Sequence, residues 1–239
     1  MHAPSDDPTT HPQPPVAIVT GGNRGTGRAI TTELTHAGME VWQLNRNASG
    51  DPRDITCDLS QPADLHTAVQ HILTRTGRLD ALITNAVDRY YAPIAELDLD
   101  RWTTALTVNL TSTIALIQQT LPMLRRSRGT IVLMGSHAGS RFFEGGLPYC
   151  APKAALKALS EILLLEERPH GVRTSLVSPG AIANEDGDTS PLKITTGSVA
   201  RVVRDLITNP SDIAVAEIEL RPAALGPPAV TGLDRLQSV

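Results

Sequence analysis

Tyr149 and Lys153 stand four residues apart in the run Tyr149-Cys150-Ala151-Pro152-Lys153. On a helix that spacing stacks two side chains one turn apart on one face, so a phenol and an ammonium can meet the same ligand. An ammonium beside a phenol favours the phenolate, which suits the pair to proton transfer. Towards the other end of the chain, Thr20-Gly21-Gly22-Asn23-Arg24-Gly25-Thr26-Gly27 follows an apolar run and opens an amphipathic one. Backbone N–H groups at a helix start, together with the helix dipole, favour an anion, so a phosphate-bearing ligand belongs there. The glycines miss the GxGxxG spacing, and Arg28-Ala29 stands where a P-loop carries Lys and Ser or Thr. Nucleotide hydrolysis is therefore disfavoured.

The elements that must hold these groups follow from hydropathy. From Val16 onward, short apolar runs alternate with longer amphipathic stretches, the rhythm of βα units around a parallel sheet. Seven strands are expected, at Val16–Thr20, Val41–Asn45, Ile55–Asp58, Ala81–Asn85, Thr130–Gly135, Arg173–Ser178 and Glu217–Leu220. Leu65, Ala68, Val69, Ile72 and Leu73 recur at helical spacing after a Ser60 cap, with Gly77 as the stop. A longer helix is expected over Leu106–Leu124, ending in the basic run Arg125, Arg126 and Arg128, and another over Ala154–Glu167. No internal repeat divides residues 16–220.

Taken together these residues resemble the short-chain dehydrogenase/reductase family. The glycine loop matches its TGxxxGxG fingerprint, and Asn109, Ser136, Tyr149 and Lys153 match its catalytic tetrad in order and element. The resemblance covers residues 16–222. It implies an α/β fold: a single doubly wound Rossmann domain, with a parallel seven-stranded sheet and helices on both faces. It further implies that Tyr149 gives a proton to the developing alkoxide while hydride arrives from a nicotinamide. Ser136 would bond the reacting oxygen, and Asn109 would order a water leading to Lys153. A tyrosine near pKa 10 must fall by about three units to ionise near neutrality, roughly 4 kcal/mol of differential stabilisation. Lys153 and the oxidised nicotinamide would supply it.

By the same resemblance Gly21, Asn23, Arg24, Gly25, Thr26 and Gly27 hold the cofactor's phosphates. Asp58 and Leu59 meet its adenine, and Asn85 and Ala86 lie beside it after the fourth strand. Pro179, Gly180 and Ile182 form the turn beside the nicotinamide, where Asn184 takes the place of the usual Thr and would bond the carboxamide. Val87 replaces the family's glycine after Asn85-Ala86, so the geometry there must shift. NAD-binding sites usually place a carboxylate at the end of the second strand. Here Leu44-Asn45-Arg46-Asn47 has no acid, and Arg24 and Arg46 suit a 2′-phosphate, so NADP(H) is expected.

Composition narrows the field further. The 239 residues are 41% apolar and 19% charged, and fit one core. With 21 Lys+Arg against 25 Asp+Glu, the net charge of -4 and the lack of a basic stripe argue against nucleic acid. Cys57 and Cys150 form no metal-ligand spacing, so no metal is expected, and a reducing, cytoplasmic setting fits. Residues 1–15, with five prolines, read as a disordered tail, and residues 223–239 as a C-terminal extension. No run suits a membrane span. A homodimer or homotetramer is expected from the resemblance.

Three functions compete: a reductase of carbonyl compounds, a reductase of imines, iminium ions or hemiaminals, and a non-catalytic NADP-binding regulator. The intact Ser136, Tyr149 and Lys153 argue against a regulator, which has no need of a proton donor. All tyrosines and phenylalanines fall at Tyr90, Tyr91, Phe142, Phe143 and Tyr149. With His137 they are expected to line a substrate cleft, rimmed by Asp88, Glu144 and Glu185. Such a cleft would favour a ring-containing substrate that bears an amine.

Overall fold

The computed structural model describes residues 13–224, so most of the expected tail (1–15) and extension (223–239) lies outside the described residues. Seven parallel strands form the main sheet in the order β3-β2-β1-β4-β5-β6-β9. They are β1 (Val16–Thr20), β2 (Glu40–Asn45), β3 (Asp54–Thr56), β4 (Ala81–Thr84), β5 (Thr130–Met134), β6 (Arg173–Pro179) and β9 (Glu217–Leu220). All seven expected strands are present, with ends shifted by at most two residues. A separate pair of two-residue strands, β7 (Ile182–Ala183) and β8 (Ile194–Thr195), was not expected, because two residues carry no readable alternation.

Side-chain alternation along the strands builds two cores. Val16 and Ile18 of β1 face a layer made with Leu65, Ile72, Leu116 and Leu156, whereas Ala17 and Val19 face Ile30, Leu34, Val199 and Val203. The first layer belongs to α2 (Pro62–Thr76), α4 (Ser112–Ser127) and α5 (Leu147–Glu167), the second to α1 (Gly25–His36) and α6 (Thr196–Thr208). Burial on both faces explains the near-continuous apolar runs of the strands. The strand order reverses between β1 and β4, where α/β sheets open a crevice beyond their carboxyl ends.

The helix ends correct several expectations. α2 starts after Gln61 with Pro62 at its first position, and Ser60 is no cap: its N–H and hydroxyl both donate to Asp58 Oδ1, at 2.9 and 2.8 Å. Gly77 does stop the helix, in the left-handed conformation at φ 64°. The helix expected from Leu106 begins instead at Leu99, because Asp98 caps α3 (Leu99–Leu106) by accepting from the N–H groups of Asp100 and Arg101. α3 runs into α4 through a widened π-type turn, Thr107–Thr111, which contains the buried Asn109. α5 starts at Leu147, with Pro148 in its first turn, so Pro152 lies within the helix. There its ring leaves the carbonyl of Pro148 without its helical donor.

Candidate active site

A cleft of about 890 Å³ runs along the carboxyl ends of β1, β2, β4, β5 and β6. Its floor at one end is the glycine loop. A side chain at Gly27 would put its Cβ 1.9 Å from the Gly21 carbonyl oxygen, so this turn admits no side chain there. Asn85 stitches the loop to β4: its Nδ2 donates to the carbonyls of Thr20 and Gly21, at 3.0 and 3.2 Å. The Thr20 hydroxyl accepts from the N–H groups of both Asn85 and Ala86, at 2.9 Å each. Arg24 starts α1 with an extended backbone and no side-chain cap, which leaves the helix N-terminus to an outside acceptor. In this structure the acceptor is Asn184, whose Oδ1 takes the Thr26 N–H at 2.8 Å and the Thr26 hydroxyl at 2.9 Å. Asn184 therefore lies against the α1 N-terminus, at the phosphate end of the cleft.

The groove continues past Asn23, Asn45, Arg46 and Asn47 to Asp58 and Leu59. Asn23 donates its Nδ2 to the Asn47 carbonyl at 2.6 Å. The buried Asp54 holds Asn45 Nδ2 at 2.5 Å and the Ser49 N–H at 2.6 Å, which spends that carboxylate on the loop itself. Arg24 and Arg46 both border the groove, and neither has an ion-pair partner among the described residues. A glycine cradle, a helix N-terminus and two uncommitted guanidinium groups fit a dinucleotide carrying an extra phosphate.

At the other end, Tyr149 and Lys153 project from one face of α5, with Lys153 Nζ 5.9 Å from the centre of the Tyr149 ring. Lys153 Nζ donates to the Met134 carbonyl at 2.5 Å. Burial, and next the charge of Arg89, lower the Lys153 pKa to about 8. Tyr149 departs from expectation. Burial raises its pKa, against the opposing effects of the Ser136 hydroxyl hydrogen bond and the Arg89 charge, so the phenol keeps its proton at neutral pH. Asn109 bonds one residue twice: Oδ1 accepts the Asp88 N–H at 2.7 Å and Nδ2 donates to the Asp88 carbonyl at 2.9 Å. Its carboxamide thereby holds the loop after β4.

The lysine gives a measurable stability signature. Between about pH 8 and the ordinary lysine value of 10.5, the unfolded chain carries a proton that the folded one has released. Stability of the cofactor-free protein should therefore rise with pH across that window. Urea midpoints at its two ends check this, and Lys153→Met should remove Lys153's share of the rise.

The expected substrate wall is only partly assembled. Tyr91 packs between Phe143 and Tyr149, with ring centres 5.8 and 5.7 Å away. Tyr90 instead turns to α3, where its hydroxyl accepts the Asp98 N–H and its ring carries the Arg101 guanidinium at 5.2 Å. Phe142 is 70% exposed. His137 is 2% exposed and lies behind Ser136, with Nε2 3.3 Å from Glu219 and its ring against Gly180. It does not line the cleft, and Gly180 backs the cleft wall behind Pro179 and Ile182.

The expected acidic rim is also altered. Asp88 is gripped through both oxygens by Arg101, Asp186 pairs with Arg28, and Asp188 with Lys193. Glu185 stays in the cleft wall beside Asn184, and Glu144 is exposed. Arg89, which the sequence reading did not single out, lines the cleft and acts electrostatically on Tyr149 and Lys153. Of the three expected rim acids, Asp88 is thus neutralised by Arg101, while Glu144 and Glu185 form no ion pair among the described residues.

A family model described as short chain dehydrogenase matches residues 15–190. The chain belongs to this family. Short-chain dehydrogenases of several kinds resemble it. An L-fucose dehydrogenase of Mus musculus is 36% identical over 179 residues, 70% of this chain, and this chain spans 65% of that protein's length. A metagenomic short-chain oxidoreductase in complex with NADP superposes with a TM-score of 0.79 at 28% identity, covering 88% of this chain and 97% of that one. A short-chain oxidoreductase from Brucella ovis, in complex with a partially ordered NAD, gives 0.75 at 26% identity, covering 87% of this chain and all of that one. The seven-stranded parallel sheet of this chain is the fold of these neighbours. No helix among the described residues is long and apolar enough to cross a membrane.

Proposed function

We propose that this protein reduces a carbonyl group of a small, ring-containing molecule with NADPH. The observation that carries the reading is the placement of Tyr149 and Lys153 one turn apart on α5, at one end of a cleft whose other end suits phosphates. Bound NADPH would supply the hydride. Ser136 holds the carbonyl oxygen in line with the phenol, and Tyr149 Oη donates its proton to that oxygen as negative charge develops. Lys153, its ammonium anchored on Met134, stabilises the phenolate left behind. Arg24 and Arg46 support the preference for NADPH, through charge-assisted bonds to a 2′-phosphate.

Reduction of an iminium ion is the weaker reading, because Arg89 and Lys153 place two positive charges where that cation would have to sit. The names of relatives that dehydrogenate alcohols fit the same chemistry run in reverse. Exposed Ile114, Ile162 and Leu165 on α4 and α5 support a homo-oligomer, and two free, buried thiols support a cytoplasmic setting. Consumption of reduced nicotinamide, followed by absorbance with cyclic ketones and with the corresponding imines, tests the reading. Ketone-dependent oxidation of NADPH supports it, and turnover of imines alone overturns it.

A further inference from the structure

Arg89 is a cation without a carboxylate. It follows Asp88 in the loop after β4 and lines the cleft together with Tyr149 and Lys153. In the neighbouring loops Asp88 is committed to Arg101, Asp186 to Arg28 and Asp188 to Lys193, while Glu144 is exposed and forms no ion pair among the described residues. Glu185 stands at the other end of the cleft, next to Asn184 on the α1 N-terminus. Arg89 therefore faces the reacting end with its charge uncompensated among the described residues. Its effect on Lys153 is unfavourable, since an exposed positive charge is added near a buried ammonium. A bound anion between them would turn this repulsion into attraction.

The backbone that presents Arg89 is fixed. The peptide groups of Asp88 are pinned on both sides by the buried Asn109, and the Asp88 side chain is held by Arg101. The anchored loop fixes where the Arg89 side chain starts, and the planar fork of its guanidinium matches the two oxygens of a carboxylate. Tyr91 and Phe143 extend an aromatic cluster from Tyr149, beside the cleft rather than in its lining. The phosphates of the cofactor have donors elsewhere, at the α1 N-terminus and at Arg24 and Arg46.

We propose that Arg89 anchors an anionic group of the substrate, and that the substrates of this protein are carbonyl compounds bearing a carboxylate close to the carbon that is reduced. This rests on the carbonyl-reductase reading and narrows it to a substrate class. It also reverses the sign of charge that the sequence alone led one to expect.

The test compares phenylglyoxylate with its methyl ester, two activated ketones that differ in one negative charge, using the full chain and NADPH. The wild-type protein should favour the acid. In Arg89→Gln the ratio of kcat/KM for acid over ester should fall about 10- to 100-fold, the scale of a lost charged hydrogen bond, chiefly through KM for the acid. Arg89→Lys should recover part of it. An unchanged ratio overturns the proposal, whether both substrates slow together, as they would if Arg89 only tuned Tyr149, or neither does. A rise in the dissociation constant for NADPH with the ratio unchanged also overturns it, and assigns Arg89 to a cofactor phosphate. If neither compound is reduced, calorimetric binding of phenylglyoxylate to the protein–NADPH complex separates the two readings. Binding that weakens in Arg89→Gln sustains the anion site although carbonyl reduction fails, and absent or equal binding in both proteins overturns it.

Discussion

Tyr149→Phe should cut carbonyl reduction by roughly 10²- to 10⁴-fold, the range spanned by a positioned proton donor. The substitution removes one hydroxyl from a residue whose ring stays packed against Tyr91 and whose helix is unaltered. Binding of NADPH, followed by the fluorescence of the reduced nicotinamide, should change little, because the phosphate contacts lie at the far end of the cleft. The loss should appear in kcat and in kcat/KM alike, the signature of an interaction made in the transition state. Turnover of the variant at the wild-type rate would remove Tyr149 from the role of acid and leave Ser136 and Lys153 without a shared task.

The second large effect concerns the choice of dinucleotide. Arg24 and Arg46 border the groove without ion-pair partners among the described residues, and the nearest buried carboxylate, Asp54, is spent on Asn45 and Ser49. A charged hydrogen bond contributes about 1.5–3 kcal/mol, so two such contacts amount to roughly 3–6 kcal/mol. Replacing both arginines by glutamine should weaken NADPH binding by about two to four powers of ten at low salt and leave NADH binding within a few-fold. Titration of both cofactors against wild type and the double variant measures this. Parallel losses for the two would mean that the arginines serve the adenosine or the fold rather than the 2′-phosphate. Added salt should narrow the gap between the cofactors, since both groups are exposed.

The sheet was legible because its central strands, β1, β4, β5 and β6, are buried on both faces and read as apolar runs, whereas the edge strands β3 and β9 are only partly covered. Helix starts were read less well, for local reasons. Asp98 begins α3 seven residues before the first expected helical position, and Pro62 displaced the cap from Ser60 to Gln61. The residue types that carry the proposed chemistry were legible through their spacing. The charge around them was not. Whether Asp88 faces a substrate depends on Arg101, thirteen positions later, which claims it only when α3 folds against the loop. Once Asp88 is taken, Arg89 becomes the charge that matters, and no local pattern in the sequence announces that exchange. His137 was misplaced for a similar reason: adjacency to Ser136 on the chain put it on the opposite side of the turn, against Gly180 and Glu219.

The hold of Asn184 on Thr26 has a kinetic consequence. Its carboxamide oxygen accepts the two donors that a dinucleotide phosphate would claim, and the neighbouring Asp186 ties the same segment to Arg28 on α1. A side-chain amide is a weaker acceptor than a phosphate, so an arriving dinucleotide trades a neutral bond for a charged one and releases the Asn184 side chain from Thr26. Loading the cofactor is thus also an unlatching. The latch sits at the phosphate end of the cleft, so it acts on the rate at which the dinucleotide enters.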